Sequence, residues 1–376
     1  CVLGPLFKLL EASFELLVPL VMAAIIDVGI PHKDQGYVVR MCLVMVGLGL
    51  VGLVCSITAQ YFAAKASVGF AAKLRRALFG HIQSLSYTEL DTAGTATLIT
   101  RMTSDINQVQ NGMNLALRLL LRSPFVVFGA MVMAFTIDWK AALVFVVAIP
   151  LLAAVVFGVM LWTMPRYKQV QAGLDRVLSA TQENLTGVRV VRAFGKEEAE
   201  TQRFEGENQA LTHLQVFVGR VSALMNPATY VLINLATAVL LWVGALQVDT
   251  GVLTQGEVVA LLNYMSQILV ELIKLANLIL NITKALACAN RVAGVMEVEP
   301  SLTGPEAAKA REGADRGVRF AGVGLTYQGA GAASLSGLSF SVKPGETVGV
   351  IGGTGSGKSS LVNLIPRFYD ATQGDV

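Results

Sequence analysis

The chain has 376 residues, is 54% hydrophobic and 15% charged, and carries a net charge of +3; its mean hydropathy is +0.60. An average soluble domain is about 25% charged, so this composition excludes an ordinary soluble fold and points to the membrane. A charge so small and dispersed also argues against nucleic-acid binding. The four cysteines, Cys1, Cys42, Cys55 and Cys288, show no metal or redox spacing and are expected to be free thiols. The chain lacks an initiator methionine and opens in an apolar segment too long for a signal-peptide core, so both ends are expected to be cut ends.

A bilayer core of about 30 Å needs about 20 apolar residues to cross it. Six segments qualify: 2–30, 38–63, 115–137, 141–162, 218–247 and 258–280. In the first, Glu11 and Glu15 lie one turn apart; they meet a cationic substrate, or they lie near the interface. The second keeps apolar residues at helical spacing, with charges between, out to residue 85. A helix over 38–85 would be on the order of 70 Å long, far more than lipid requires. Residues 167–194, beyond the fourth span, show the same pattern. Such extensions either carry motion from a cytoplasmic engine or are simply solvated helices. Asn226-Pro227 in the fifth span predicts a kink, and Trp139 and Trp242 suit an interfacial belt.

The connections alternate in length, and charge follows them. The long connection after the second span holds Lys65, Lys73, Arg75, Arg76 and Arg101. The one after the fourth holds Arg166, Lys168, Arg176, Arg189, Arg192, Lys196 and Arg203, whereas the short loops hold only Lys33 and Lys140. The positive-inside rule therefore puts the long connections, and everything after the sixth span, in the cytoplasm.

The sixth span carries a polar stripe: Asn263, Gln267, Glu271, Lys274, Asn277 and Asn281, spaced 4, 4, 3, 3 and 4. At about 100° per residue these fall within about a third of the helix circumference. A charge at the bilayer centre costs roughly 2.5–3.5 kcal/mol on insertion scales, so Glu271 and Lys274 should not face lipid. Either the stripe lines a wet substrate path, the reading favoured by six polar residues in one row, or it is a helix–helix seam with Glu271 and Lys274 paired.

The run GGTGSGKS at 352–359 fits the phosphate-binding template G-x-x-x-x-G-K-[ST] without mismatch. Residues 346–351 are expected to form a short buried strand before it, and 360–365 the first turns of a helix after it. Glycines let successive backbone N–H groups converge, and the helix N-terminus adds positive dipole. Gly352, Gly353, Thr354, Gly355, Ser356, Gly357, Lys358, Ser359 and Ser360 are thus the expected nucleotide-binding residues, with Lys358 on the β- and γ-phosphates and Ser359 on Mg²⁺. ATP and Mg²⁺ are the expected cofactors.

Three separated motifs carry a resemblance. ENLTGVRVVRAFGKEEAETQRF at 183–204 and TATLITRMTSDINQV at 95–109 resemble the two cytoplasmic connections of ABC exporters. Residues 318–374 resemble the opening of their nucleotide-binding domain. The chain is similar to the multidrug and lipid-type half-transporters, and that resemblance implies an all-α six-helix transmembrane domain with long cytoplasmic helix extensions, followed by the N-terminal part of an α/β P-loop NTPase domain. The expected divisions are 1–290, a linker at 291–316, and 317–376. The resemblance further implies that Tyr327 stacks on adenine and that short coupling helices lie near 94–100 and 194–200. The second would reach a partner subunit.

Gly353, Ser360 and Ala371 depart from common residues of the family, but none removes a phosphate donor. No Q-loop glutamine, signature LSGGQ, Walker B aspartate, following glutamate or switch histidine can be located. Gln373 comes too early, and His32, His81 and His213 all precede the P-loop. This chain alone is therefore not expected to hydrolyse ATP. The implied function is ATP-driven export of hydrophobic small molecules, lipids or peptides by a homo- or heterodimer in the plasma (inner) membrane, with the ATPase part cytoplasmic. Two alternatives stay open: a siderophore-type importer of the same fold, and a hydrolysis-dead ATP-binding regulatory half.

Overall fold

A computed structural model of the chain describes residues 2–302 and 317–376. Helix α1 (Leu3–Ala24) widens into a π turn over Ile25–Gly29. Helix α2 (Gln35–Ser84) follows as one 50-residue rod, about 75 Å long at about 1.5 Å per residue, so the extension expected to residue 85 is present. The short helices α3 (Tyr87–Ala93) and α4 (Thr95–Thr100) meet at Gly94, whose φ of 74° suits glycine. A π turn (Arg101–Asp105) leads into α5 (Ile106–Leu119) and α6 (Arg122–Ile137). Three long helices complete the α-helical part: α7 (Trp139–Ala193), α8 (Glu197–Asp249) and α9 (Gln255–Met296). The tail comprises β1 (Val318–Leu325), β2 (Leu335–Val342), α10 (Lys358–Leu364) and β3 (Gln373–Asp375). The expected linker at 291–316 falls partly within α9, and its residues 303–316 lie outside the described residues.

The chain divides into two compact units. The first, residues 1–66 and 114–282, contains the apolar stretches of the six helical spans that, among the described residues, are long and apolar enough to cross a membrane. Its core sets Phe145, Leu240, Tyr264, Met265 and Ile268 among small residues such as Ala12, Ala130, Ala134 and Ala142. Small side chains let helix backbones approach closely where no water drives them together. Outward-facing Leu43, Val54, Ile57 and Trp242 leave more than half of their surface exposed, as lipid-facing positions do.

The third span is not continuous. Its expected helix over 115–137 breaks at residues 120–121, between α5 and α6. Pro124 sits in the first turn of α6 and has no N–H for the carbonyl of Leu120, so the ladder resumes only with Phe125 N donating to Leu121 O. By contrast, α8 passes Pro227 as an unbroken helix.

At one end of this unit, Asp27 accepts from the Gly256 amide (2.7 Å) and the Thr254 hydroxyl (2.6 Å). A Cβ at Gly256 would collide with the Ala23 carbonyl and with Asp27 Oδ2 at 2.5 Å. Gly256→Ala is therefore expected to cost about 1–3 kcal/mol by overpacking, read as a lowered thermal midpoint of the purified protein. An unchanged midpoint would show that α1 and α9 are free to part there.

The second unit joins residues 67–113 to 283–376. Here Arg101 (2.8 Å) and Arg291 (2.5 and 3.0 Å) hold the carboxylate of Asp105. Ser86 and Glu89 form a capping box at the start of α3, and the Ser86 hydroxyl accepts from the Leu302 amide at 3.0 Å. Burial opposes the charge on Glu89, but hydrogen bonds from Ser301 and Ser86 outweigh it and hold the carboxyl below its usual range.

The tail forms an antiparallel sheet in the order β2-β1-β3. Phe320 stacks on Phe340 across the β1–β2 pair at 4.6 Å. Leu361 and Leu364 of α10 pack against Phe320, Val323, Leu325 and Leu335. Two expectations are corrected in these regions. Residues 346–351 form no strand, and Ile351 is 98% exposed; no ladder partner lies beside them among the described residues, and a strand requires one. No separate short helix occupies 194–200 either. A tight turn with Gly195 at φ 58° leads straight into α8 at Glu197.

Candidate functional site

Two sites emerge from the expected residues. The first is the glycine loop. Gly355 and Gly357 adopt φ of 83° and 85°, which L side chains avoid, and Gly357 is the N-cap of α10. Lys358 begins the helix and folds back over the loop. Its ammonium donates to the carbonyls of Gly353 (2.6 Å) and Gly352 (2.9 Å), and to Ser356 Oγ at 3.3 Å. Thr354, Ser356 and Ser359 are exposed. The Lys358 ammonium, the Ser356 hydroxyl and the two positive-φ glycines therefore lie together in one short segment, with the Thr354 and Ser359 hydroxyls exposed beside them in sequence. That donor set fits a polyphosphate with its magnesium.

The half-buried Tyr327, just past β1, is tied to this loop. Its hydroxyl donates to Ser360 Oγ at 3.0 Å. Its ring meets Tyr369 edge-on, with centroids 5.0 Å apart and planes at 89°. A cavity of about 360 Å³ opens beside it, lined in part by Thr326, Gln328 and Tyr369. Nine of the ten residues expected at the nucleotide site run without a gap from the glycine loop into the first turn of α10, and the tenth, Tyr327, bonds to Ser360 of that turn.

The second site is an ionic network within the first unit. Glu271, 3% exposed, accepts from Arg122 Nη1 (2.7 Å), Ser123 Oγ (2.8 Å) and Lys274 Nζ (2.8 Å). The other guanidinium nitrogen, Nη2, reaches Glu15 at 2.5 Å. Glu11 pairs with Lys8 at 2.6 Å, and Lys8 also donates to Ser56. Sequence reasoning placed Glu271 and Lys274 together but missed Arg122 and Ser123. The signal was present: an arginine inside an apolar span must find an acid partner.

The other stripe residues have different surroundings along α9. Asn263 donates to the Val259 carbonyl of its own helix (3.0 Å), and Asn281 to that of Asn277 (2.8 Å). Asn277 is exposed. The amide oxygen of Gln267 is buried without a partner among the described residues.

Comparison with known proteins gives one consistent result. Residues 1–272 match the family of the ABC transporter transmembrane region, and residues 335–376 match a second family, described as ABC transporter. The chain is 33% identical over 372 residues to an uncharacterized ABC transporter ATP-binding protein of Mycobacterium tuberculosis, covering 99% of this chain and 64% of that protein. It is 32% identical over 371 residues to one of Bacillus subtilis, with the same two shares. It is 25% identical over 368 residues to the ATP-dependent lipid A-core flippase of Escherichia coli, covering 98% of this chain and 63% of the flippase. The chain thus spans somewhat less than two thirds of the length of these relatives. With a transmembrane match over most of its length and a second match over its tail, the chain belongs to the ABC transporter family.

Proposed function

We propose that the chain forms most of one half of an ATP-driven exporter that works as a dimer, moving hydrophobic or amphipathic substrates by alternating access. The observation that carries this reading is a glycine loop of the phosphate-binding pattern, leading into a helix at Lys358, in the same chain as six apolar helices among the described residues. Residues 1–290 would form the transmembrane domain and 317–376 the first part of the ATPase domain, joined by 291–316. The cytoplasmic side is assigned to the long connections and the cradle by their basic residues. The name of the E. coli relative favours a lipid among the possible substrates.

Bound ATP supplies the free energy of phosphoryl transfer, and Mg²⁺ spreads the phosphate charge. Lys358 would exchange the carbonyls of Gly352 and Gly353 for phosphate oxygens, Ser359 would present its hydroxyl to the metal, and Tyr327 its ring to the base. Hydrolysis is proposed for the whole protein. In the membrane, Asn263, Gln267, Lys274, Asn277 and Asn281 are proposed to line the path, while Glu271 chiefly holds Arg122. Substrate can change the cycle only by binding the two cavity states unequally.

Lys358→Ala in the whole protein is expected to abolish ATP-dependent transport, assayed as uptake into inverted membrane vesicles compared with right-side-out ones. Full transport by that variant would remove the cradle from the mechanism. Uptake confined to right-side-out vesicles would make the protein an importer.

A further inference from the structure

Tyr369 touches both Tyr327 and helix α3. On one side it packs edge-on against Tyr327, centroid to centroid 5.0 Å, and Tyr327 holds Ser360 through its hydroxyl. On the other, the Tyr369 hydroxyl donates to Asp91 Oδ2 of α3 at 2.6 Å. Asp91 lies one turn beyond Tyr87, whose ring sits 4.5 Å from Phe368 and 6.1 Å from Tyr369. A cavity lined by Thr88, Asp91, Thr92, Tyr327, Gln328 and Tyr369 runs between these groups. All of them lie in the second compact unit.

A purely adhesive patch would need only the rings. The hydroxyl–carboxylate bond adds direction: it fixes where the Tyr369 ring stands relative to α3, and that ring in turn limits where the Tyr327 ring can stand. The bond is also durable. The Asp91 carboxylate, helped by burial, pushes the Tyr369 phenol up to about 12, so it remains a donor throughout the physiological range. The N-terminus of α3 is pinned separately by Ser86 and Leu302, which leaves the Asp91 end as the one that can respond.

We propose that Tyr369 is a positioning residue that seats the Tyr327 ring and conveys its placement to α3 through Asp91, so that nucleotide occupancy is felt by the first cytoplasmic connection of the same chain. The inference rests on the nucleotide reading of the 352–360 loop.

The test uses the full-length protein in lipid nanodiscs. Binding of a fluorescent ATP analogue is measured alongside amide hydrogen exchange of residues 87–93 with and without ATP. In the wild type, ATP is expected to slow exchange in that segment. Tyr369→Phe and Asp91→Asn should each lose the ATP-dependent slowing by at least about fivefold, and Asp91→Asn, on α3, should still bind the analogue within about twofold of wild type. The double variant should be no worse than either single one, because both break the same bond.

Tyr369→Phe keeps the ring, so a merely structural role would leave the ATP response intact. A persistent ATP response in both single variants overturns the relay, as does a segment 87–93 indifferent to ATP in the wild type. Lys358→Ala separates the two readings. Undiminished analogue binding in that variant overturns the nucleotide site and the relay with it, whereas lost binding there beside an intact response in Tyr369→Phe overturns the relay alone.

Discussion

Replacing Arg122 by alanine should destabilise the six-helix unit by about 3–5 kcal/mol, the cost of leaving a buried charge without its partner. The guanidinium bridges two acids, Glu271 at 2.7 Å and Glu15 at 2.5 Å. Its own side chain is 8% exposed and that of Glu271 only 4%. With Arg122 gone, Glu271 would keep only Ser123 and the half-exposed Lys274. The measurement is the thermal midpoint of purified full-length protein, together with the yield of monodisperse material.

Charge pairing and packing make different forecasts for a second variant. If pairing sets the cost, Arg122→Met combined with Glu271→Met should recover most of the loss, since well-packed apolar residues often replace a buried pair without penalty. Arg122→Ala as stable as wild type would sink the network as a structural element. Glu271→Gln that loses transport while keeping its midpoint would instead assign that carboxylate to the substrate path.

Gly357→Val should weaken ATP binding at least tenfold, the second large effect. Its φ of 85° costs a residue with a Cβ about 1–2 kcal/mol. The added Cβ would also stand 2.7 Å from Leu335 Cδ2 and 2.8 Å from the Ser334 carbonyl. One neighbour is backbone at the start of β2, so the strain would pass into the first turn of α10, where Lys358 begins. Gly353→Ala is the matched control: a Cβ there meets nothing within 4 Å, and affinity should stay within about twofold. Titration of a fluorescent ATP analogue reads both. Wild-type affinity in Gly357→Val would show that the cradle tolerates a displaced helix start.

Much of the molecule follows from neighbours along the chain. The apolar runs specify helices long enough to cross a bilayer, and the charges between apolar residues beyond the second and fourth runs let α2 and α7 continue as solvated rods. The turn at Gly355 and Gly357 and the fold-back of Lys358 onto the Gly352 and Gly353 carbonyls likewise need only a local backbone path. These are one-dimensional properties, and the sequence by itself determined them.

What only tertiary structure decided is partnership. Whether Glu271 faces a path or a seam depended on α6 bringing Arg122 and Ser123 beside it, across a separation of 149 residues. Residues 346–351 look like a strand by composition, but a strand exists only where another lies alongside to accept its hydrogen bonds. Tyr327 and helix α3 acquired a link only when Tyr369, 278 residues beyond Asp91, came within hydrogen-bonding distance of it. Buried charges and hydroxyls must be satisfied, but which group satisfies them is settled by the helices and strands that happen to pack together, and no local pattern records that choice.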